Sequence, residues 1–225
     1  MWISWKHQDT DLSGPLTFEE KVEVFYQQTL GWQLHIGDLV ANGGTTLGEN
    51  KAVSPIRHSG FAVLHICLSY FELIGSLVGS KPRSSMRFRA GVQRVLPGLV
   101  DDSADSAALL GRLHEGARCG LYHEGRTRPG VALGQPPDGR PVAYDPQSRT
   151  VVISPERLPR VLKAHLEQFR SELLDPANTR LREVFERRFD AGFTQNDRPP
   201  NKALQATSRA TLKAKSRKAS RAARG

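Results

Sequence analysis

A chain of 225 residues, 38% hydrophobic and 24% charged, is long enough for one sizeable core, since single cores run to roughly 100–200 residues. That balance excludes wholesale disorder and a disulfide miniprotein. Two cysteines, Cys67 and Cys119, form no CxxC or metal-finger spacing and read as reduced thiols. The opening residues Met1–Asp9 have no basic segment followed by an apolar run, so no secretory signal is read there and a cytoplasmic location is the expectation.

The net charge of +9 is unevenly placed. From Arg198 onward stand nine basic residues and no acid, which leaves 23 basic against 23 acidic residues in 1–197. The body is therefore formally neutral. The tail 196–225 is expected to be disordered, because Ala, Ser, Thr, Lys and Arg with two leucines bury too little surface to offset the ordering entropy. Its Lys202, Arg209, Lys213, Lys215, Arg217, Lys218, Arg221 and Arg224 suit sequence-blind attraction to phosphate backbone. The stretch Arg198–Thr207 also resembles the translated repeats that flank mobile gene cassettes, so a functional tail and an incidental one both fit.

After an N-terminal segment, residues 1–16, the spacing predicts a long helix over 17–41. Phe18, Val22, Phe25, Thr29, Trp32, Ile36 and Leu39 alternate at gaps of four and three, and Thr17 with Glu20 makes a capping box. Residues 43–60, rich in Gly, Thr, Ser and Pro, read as a plain connection without a phosphate-loop ending. Residues 61–78 are apolar nearly all round and predict a central buried helix; Glu72 and His65 in mid-segment argue against a membrane span. Its polar residues His65, Ser69, Glu72 and Ser76 share one narrow stripe. That stripe is a wet edge, a face toward another helix or a dimer seam.

A basic loop, Lys81–Arg89, and a short helical piece ending near Pro97 follow, and Asp101-Asp102-Ser103 caps the next helix. Leu109, Leu113, Ala117 and Leu121 mark the buried face of that helix, which runs to about Glu124. Val131–Gly134, Val142–Tyr144 and Thr150–Ile153 are short extended runs between turn sequences and predict a small β meander over about 131–154. Two more helices are striped by Leu158, Val161, Leu162, His165, Leu166, Phe169 and Leu173, and by Leu181, Val184, Phe185 and Phe189. His165, on an apolar face, reads as a satisfied core histidine. The expected architecture of 17–195 is mainly α, a helical bundle with a small β insert.

The most informative segment is Arg118-Cys119-Gly120-Leu121-Tyr122-His123, an Arg-x4-His at a helix end. A guanidinium clamps phosphate through forked hydrogen bonds, and an imidazole titrating near neutrality moves a proton on or off a ribose 2′-hydroxyl or a leaving oxygen. Arg118 lies off the leucine face and His123 a turn and a half later, so the helix can present both at a surface cleft, and such a pair suffices for RNA cleavage without a metal. The bland alternative is that each pairs with a nearby carboxylate. Cys119 and His123 at i, i+4, with His114 nearby, fall short of a metal motif, so neither a metal nor another cofactor is expected.

Arg-x4-His after an apolar helix, in a helical domain whose earlier central helix carries a Glu, resembles the HEPN superfamily (higher eukaryotes and prokaryotes nucleotide-binding). That family includes RNase toxins of abortive-infection and toxin–antitoxin systems. The resemblance implies a HEPN-like bundle, a homodimer with a composite site, RNA as substrate and an antitoxin as a further partner. It makes Arg118 the phosphate-binding arginine, His123 the acid/base and Glu72 the match to the acidic residue of the earlier helix. His65, Ser69, Tyr122 and Cys119 are supporting candidates. Catalytic members place Asn, Asp or His directly after the arginine, where this chain has Cys119. A non-catalytic module that binds nucleic acid or a nucleotide, and a structural dimer with a degenerate site, are the competing readings.

Overall fold

A computed structural model describes residues 4–7, 15–78, 83–99 and 104–196. The Asp101-Asp102-Ser103 cap and the basic tail from 197 onward lie outside them. The chain divides into two units, Met1–Glu186 and Arg187–Gly225; the core and the candidate site lie in the first. Helix dominates, as the apolar periodicities predict.

The first helix is α1 (Phe18–Thr29), a π-helical segment (Leu30–Leu34) and α2 (His35–Asn42) in one run. Its start is the predicted capping box: Thr17 Oγ1 accepts from Glu20 N–H, and the Glu20 carboxylate accepts from Thr17 N–H. The predicted stripe is buried at Val22, Phe25, Thr29 and Leu39 but broken between the last two. A π turn takes up extra residues, so the face rotates; Leu34 becomes fully buried while Trp32 and Ile36 are 52% and 42% exposed. Gly31 in that segment receives the Trp5 indole, 1.9 Å from where a Cβ would stand.

The connection after α2 is more ordered than its composition suggests. Gly44–Thr45 (β1) pairs antiparallel with Ala52–Val53 (β2). Thr46 clamps the turn, its N–H donating to Lys51 O and its Oγ1 accepting from Lys51 N–H.

Helix α3 (Gly60–Leu77) is the centre of the fold, with Val63, Leu64, Cys67, Leu68, Tyr70, Phe71 and Ile74 at zero exposure. Among the described residues it is the one helix long and apolar enough to cross a membrane, and half of it is buried within the fold. Against it lies α4 (Ser84–Val95), which takes in most of the segment read as a basic loop. The arginines of 81–89 mask a stripe of Phe88, Val92 and Val95, all buried. Two glycines set the closeness of this crossing: a Cβ on Gly75 would stand 1.7 Å from Arg87 O, and one on Gly91 would stand 1.7 Å from Phe71 O.

A 3₁₀ turn (Pro97–Leu99) leads on, and then α5 (Ala104–Gly111), a second π-helical segment (Arg112–Cys119) and α6 (Gly120–Glu124) form one continuous helix. Leu109, Leu113, Ala117 and Leu121 are its buried face, as predicted. The three strands β3 (Val131–Leu133), β4 (Val142–Asp145) and β5 (Thr150–Ile153) are not a meander. Their order is β3-β5-β4, with β3 parallel to β5 and β4 antiparallel to it. The last strand inserts between the other two because its Val151 and Ile153 are fully buried and take the centre.

Helix α7 (Leu158–Leu174) closes the core with Leu158, Leu162, Leu166, Phe169 and Leu173, and α8 (Thr179–Asn196) adds the buried Phe185. His165 is the core histidine expected of it. Tyr70 Oη bonds its Nδ1 at 2.8 Å, and Phe169 stacks on its ring at 5.9 Å. Burial, with the charge of Arg94, lowers its pKa to about 4, so the ring is neutral at pH 7.

Candidate functional site

The Arg118 segment is fixed from both sides. Behind it, Leu113, Ala117 and Leu121 anchor the helix in the core. Beyond it, Gly125 adopts a left-handed conformation (φ 69°) that ends α6, its N–H donating to Leu121 O. The returning loop then crosses the helix at its glycines: Arg128 N–H donates to Gly116 O at 2.9 Å, and a Cβ on Gly120 would stand 2.6 Å from Arg126 O.

Arg118 reaches across to α3. Its Nη2 lies 2.8 Å from Glu72 Oε2, with the two side chains 19% and 21% exposed. Glu72 Oε1 also accepts from Ser84 Oγ at 2.6 Å and lies 3.5 Å from Arg87 Nη2. Burial pushes the Glu72 carboxyl up, but the Ser84 and Arg118 hydrogen bonds and the two guanidiniums outweigh it and hold the group below the usual carboxylate range. Two guanidiniums on one carboxylate leave the cluster net positive. Arg118 Nε is buried without a hydrogen-bond partner, an unpaired donor of the kind that costs about 1–3 kcal/mol.

The other face of the guanidinium is aromatic. Arg118 Cζ lies 4.5 Å from the Tyr122 ring centroid, and that ring lies 4.4 Å from the His65 ring at 36°. Tyr122 is 41% exposed, and Tyr122 Oη is 3.5 Å from His65 O.

His123 is exposed, and among the described residues it makes no hydrogen bond, ion pair or ring contact. Five residues of helix carry it about 140° around the axis from Arg118, whereas Tyr122, four residues on, shares Arg118's face. Within one chain the structure therefore brings together Glu72, Arg118, Tyr122 and His65, and gives no contact between Arg118 and His123.

The polar stripe of α3 divides. His65 and Glu72 face the Arg118 helix. Ser69 is instead held by Gln33 Nε2 at 2.6 Å and donates to Ile66 O, and Ser76 donates to Leu73 O. Cys119 is half-buried, and its Sγ stands 4.0 Å from His114 Nε2, a contact that the wide π turn makes between residues five apart. Burial and the charges of Arg118 and Arg89 hold the His114 pKa below the usual imidazole value, favouring the neutral ring. Ser84 and Arg87 complete the Glu72 cluster and are absent from the sequence-based set. The signal that finds them is the gap-of-four, gap-of-three spacing of Phe88, Val92 and Val95, which makes their segment a helix.

Among the described residues no group of three or more His, Cys, Asp or Glu side chains is placed to hold a metal ion. A cavity of about 600 Å³ at the start of α3, lined by Arg57, His58, Phe61, Leu133 and Glu156 among others, does not include Arg118. Comparison with protein-family models, with curated proteins and with solved structures gives no match.

Proposed function

We propose that the chain acts on RNA through Arg118 and His123 as a HEPN-like, metal-independent endoribonuclease of toxin or phage-defence type. The observation that carries this reading is the Glu72–Arg118 pair. Glu72 is the residue that the resemblance matches to the family's acid on the earlier helix, and its hold on Arg118 is the orienting contact that a phosphate clamp needs. The carboxylate fixes the guanidinium in one orientation, and Arg87 offsets the carboxylate's charge, so a phosphodiester meets a net positive cluster.

In this reading Arg118 binds a non-bridging phosphate oxygen. A base removes the proton of the ribose 2′-hydroxyl, the 2′-oxygen attacks phosphorus, and the bond to the 5′-oxygen breaks as that oxygen takes a proton from an imidazolium. The products are a 2′,3′-cyclic phosphate and a 5′-hydroxyl end. Two imidazoles are needed, one as base and one as acid. His123 of each chain of a homodimer supplies one, which accords with an imidazole that faces solvent and lies off Arg118's own face. The chemistry calls for no cofactor.

A second reading, a nucleic-acid-binding dimer without catalysis, is favoured by one observation. The residue stacked on Arg118 is Tyr122, and a guanidinium beside an exposed ring is a platform for base and phosphate. His123→Ala separates the two. The nuclease loses cleavage and keeps binding, whereas the binding module has no cleavage to lose.

A further inference from the structure

The Arg118 helix also lines a cavity on a second side. Ala108, Gly111, Arg112, Glu115 and Gly116 recur at gaps of three and one along it and, with Arg128, Tyr144 and Arg149, line a cavity of about 450 Å³, within the usual range for small-ligand sites. Gly116 meets Val131 of β3, whereas Arg118, two residues on, meets Glu72 of α3. The cavity and the Glu72 cluster therefore lie on different sides of the helix.

We propose that this cavity binds the phosphate group of a nucleotide or of RNA. Three arginines from three separate elements line it, in a body whose charges sum to zero. Arg112 comes from the π segment, Arg128 from the loop after α6, and Arg149 from the β4–β5 turn. The carboxylate in the lining is Glu115, and Glu124 pairs with Arg128 at 2.6 Å. The guanidiniums still outnumber the acids, and like charges around one cavity repel unless an anion sits among them.

Two of the three arginines are held in place. Arg112 Nη1 donates to Pro129 O at 3.1 Å, and its guanidinium lies flat against Gly130, where a Cβ would stand 2.8 Å from Nη1. Gly130, at φ 84°, is tied to the sheet by Val151 N–H donating to its carbonyl. Arg128 N–H is fixed to Gly116 O.

Arg149 is the free hand. It stands in the left-handed region (φ 52°) on a turn that Asp145 braces by accepting from Gln147 N–H and Ser148 O–H. Among the described residues its own side chain makes no bond. Planar forks carried on several elements match the oxygens of a phosphate, and the half-buried Tyr144 in the lining supplies a ring for a base. This site does not depend on the nuclease reading, because neither Arg118 nor His123 takes part in it.

The test is equilibrium binding to the full chain of three probes: inorganic phosphate, adenosine 5′-monophosphate and a short fluorescent single-stranded RNA. The chains compared are wild type, Arg149→Ala, Arg128→Ala and, as a control at another exposed arginine, Arg140→Ala. Arg149→Ala removes no packing, and a thermal melt verifies the fold of each variant. Wild type is expected to bind at least one probe, with affinity falling about tenfold or more in Arg149→Ala and Arg128→Ala and holding in Arg140→Ala. Loss of monophosphate and inorganic-phosphate binding assigns the site to a free nucleotide; loss confined to RNA assigns it to backbone phosphate. No binding of any probe by wild type, or affinities that Arg149→Ala and Arg128→Ala leave unmoved, overturns the proposal.

Discussion

The Glu72 carboxylate on α3 meets the Arg118 guanidinium on the neighbouring helix at 2.8 Å, and Ser84 and Arg87 of α4 close on the same carboxylate. Three helices thus share one acid, and Glu72→Gln should loosen all three contacts at once. The expected loss is about 1.5–3 kcal/mol of stability, the range for hydrogen bonds to charged groups, read by chemical denaturation. Because the folded carboxyl titrates below its ordinary range, its contribution is complete above that range and fades as pH falls through the depressed value. The stability difference between wild type and Glu72→Gln should therefore narrow on acidification; a gap that is constant with pH contradicts the ion pair.

His165 should give the fold a second acid sensitivity, at higher pH. Its neutral ring accepts from Tyr70, whose own hydroxyl burial keeps protonated. Unfolded, the ring takes up a proton near pH 6.5, and folded only near pH 4. The unfolded state thus binds more protons between those values, and stability should fall as pH drops through that window, by about 3 kcal/mol in all. His165→Phe should flatten the slope between pH 6.5 and 4, measured by melts across pH; an unchanged slope contradicts the assignment.

The glycine pair at the α3–α4 crossing should be intolerant. Gly91→Ala or Gly75→Ala places a methyl group against a backbone carbonyl that cannot move without its helix, so a cost of more than about 3 kcal/mol is expected. Gly111→Ala is the contrasting case, with open space around the added atom. There the helix should gain about 0.5–1 kcal/mol. Denaturant midpoints of the three variants check both directions.

Much of this arrangement is legible in the sequence where one periodicity suffices. The apolar run 61–78 and the stripe Leu109, Leu113, Ala117, Leu121 are found where they are predicted, and so is the core role of His165. Glu72 facing Arg118 is one of three alternatives left open by the polar stripe. What escapes the sequence depends on backbone events that leave no local mark. The π segment at Leu30–Leu34 turns Trp32 and Ile36 outward, and the indole packed on its Gly31 comes from Trp5, 26 positions earlier. In α4 the arginines conceal a short apolar stripe, and Gly91 is the point where the helix meets the Phe71 carbonyl. The parallel pairing of β3 with β5 is non-local hydrogen bonding, which turn sequences do not encode.

The composite-site account requires two chains. Sedimentation equilibrium at micromolar concentration should give a dimer, since one chain supplies a single His123. A monomer throughout the working range removes the second imidazole and with it the acid–base pair.

The most direct measurement is cleavage of RNA by purified protein in excess EDTA, with the ends of the products identified. Wild type should cleave RNA to 2′,3′-cyclic phosphate ends and leave DNA intact, since DNA lacks the attacking hydroxyl. His123→Ala should abolish cleavage while keeping most RNA binding, and Arg118→Lys should also fail because a point charge does not reproduce the planar fork. If neither wild type nor Cys119→Asn cleaves RNA, and Arg118→Ala leaves RNA binding unaffected, the assignment of Arg118 and His123 to an RNA site is wrong.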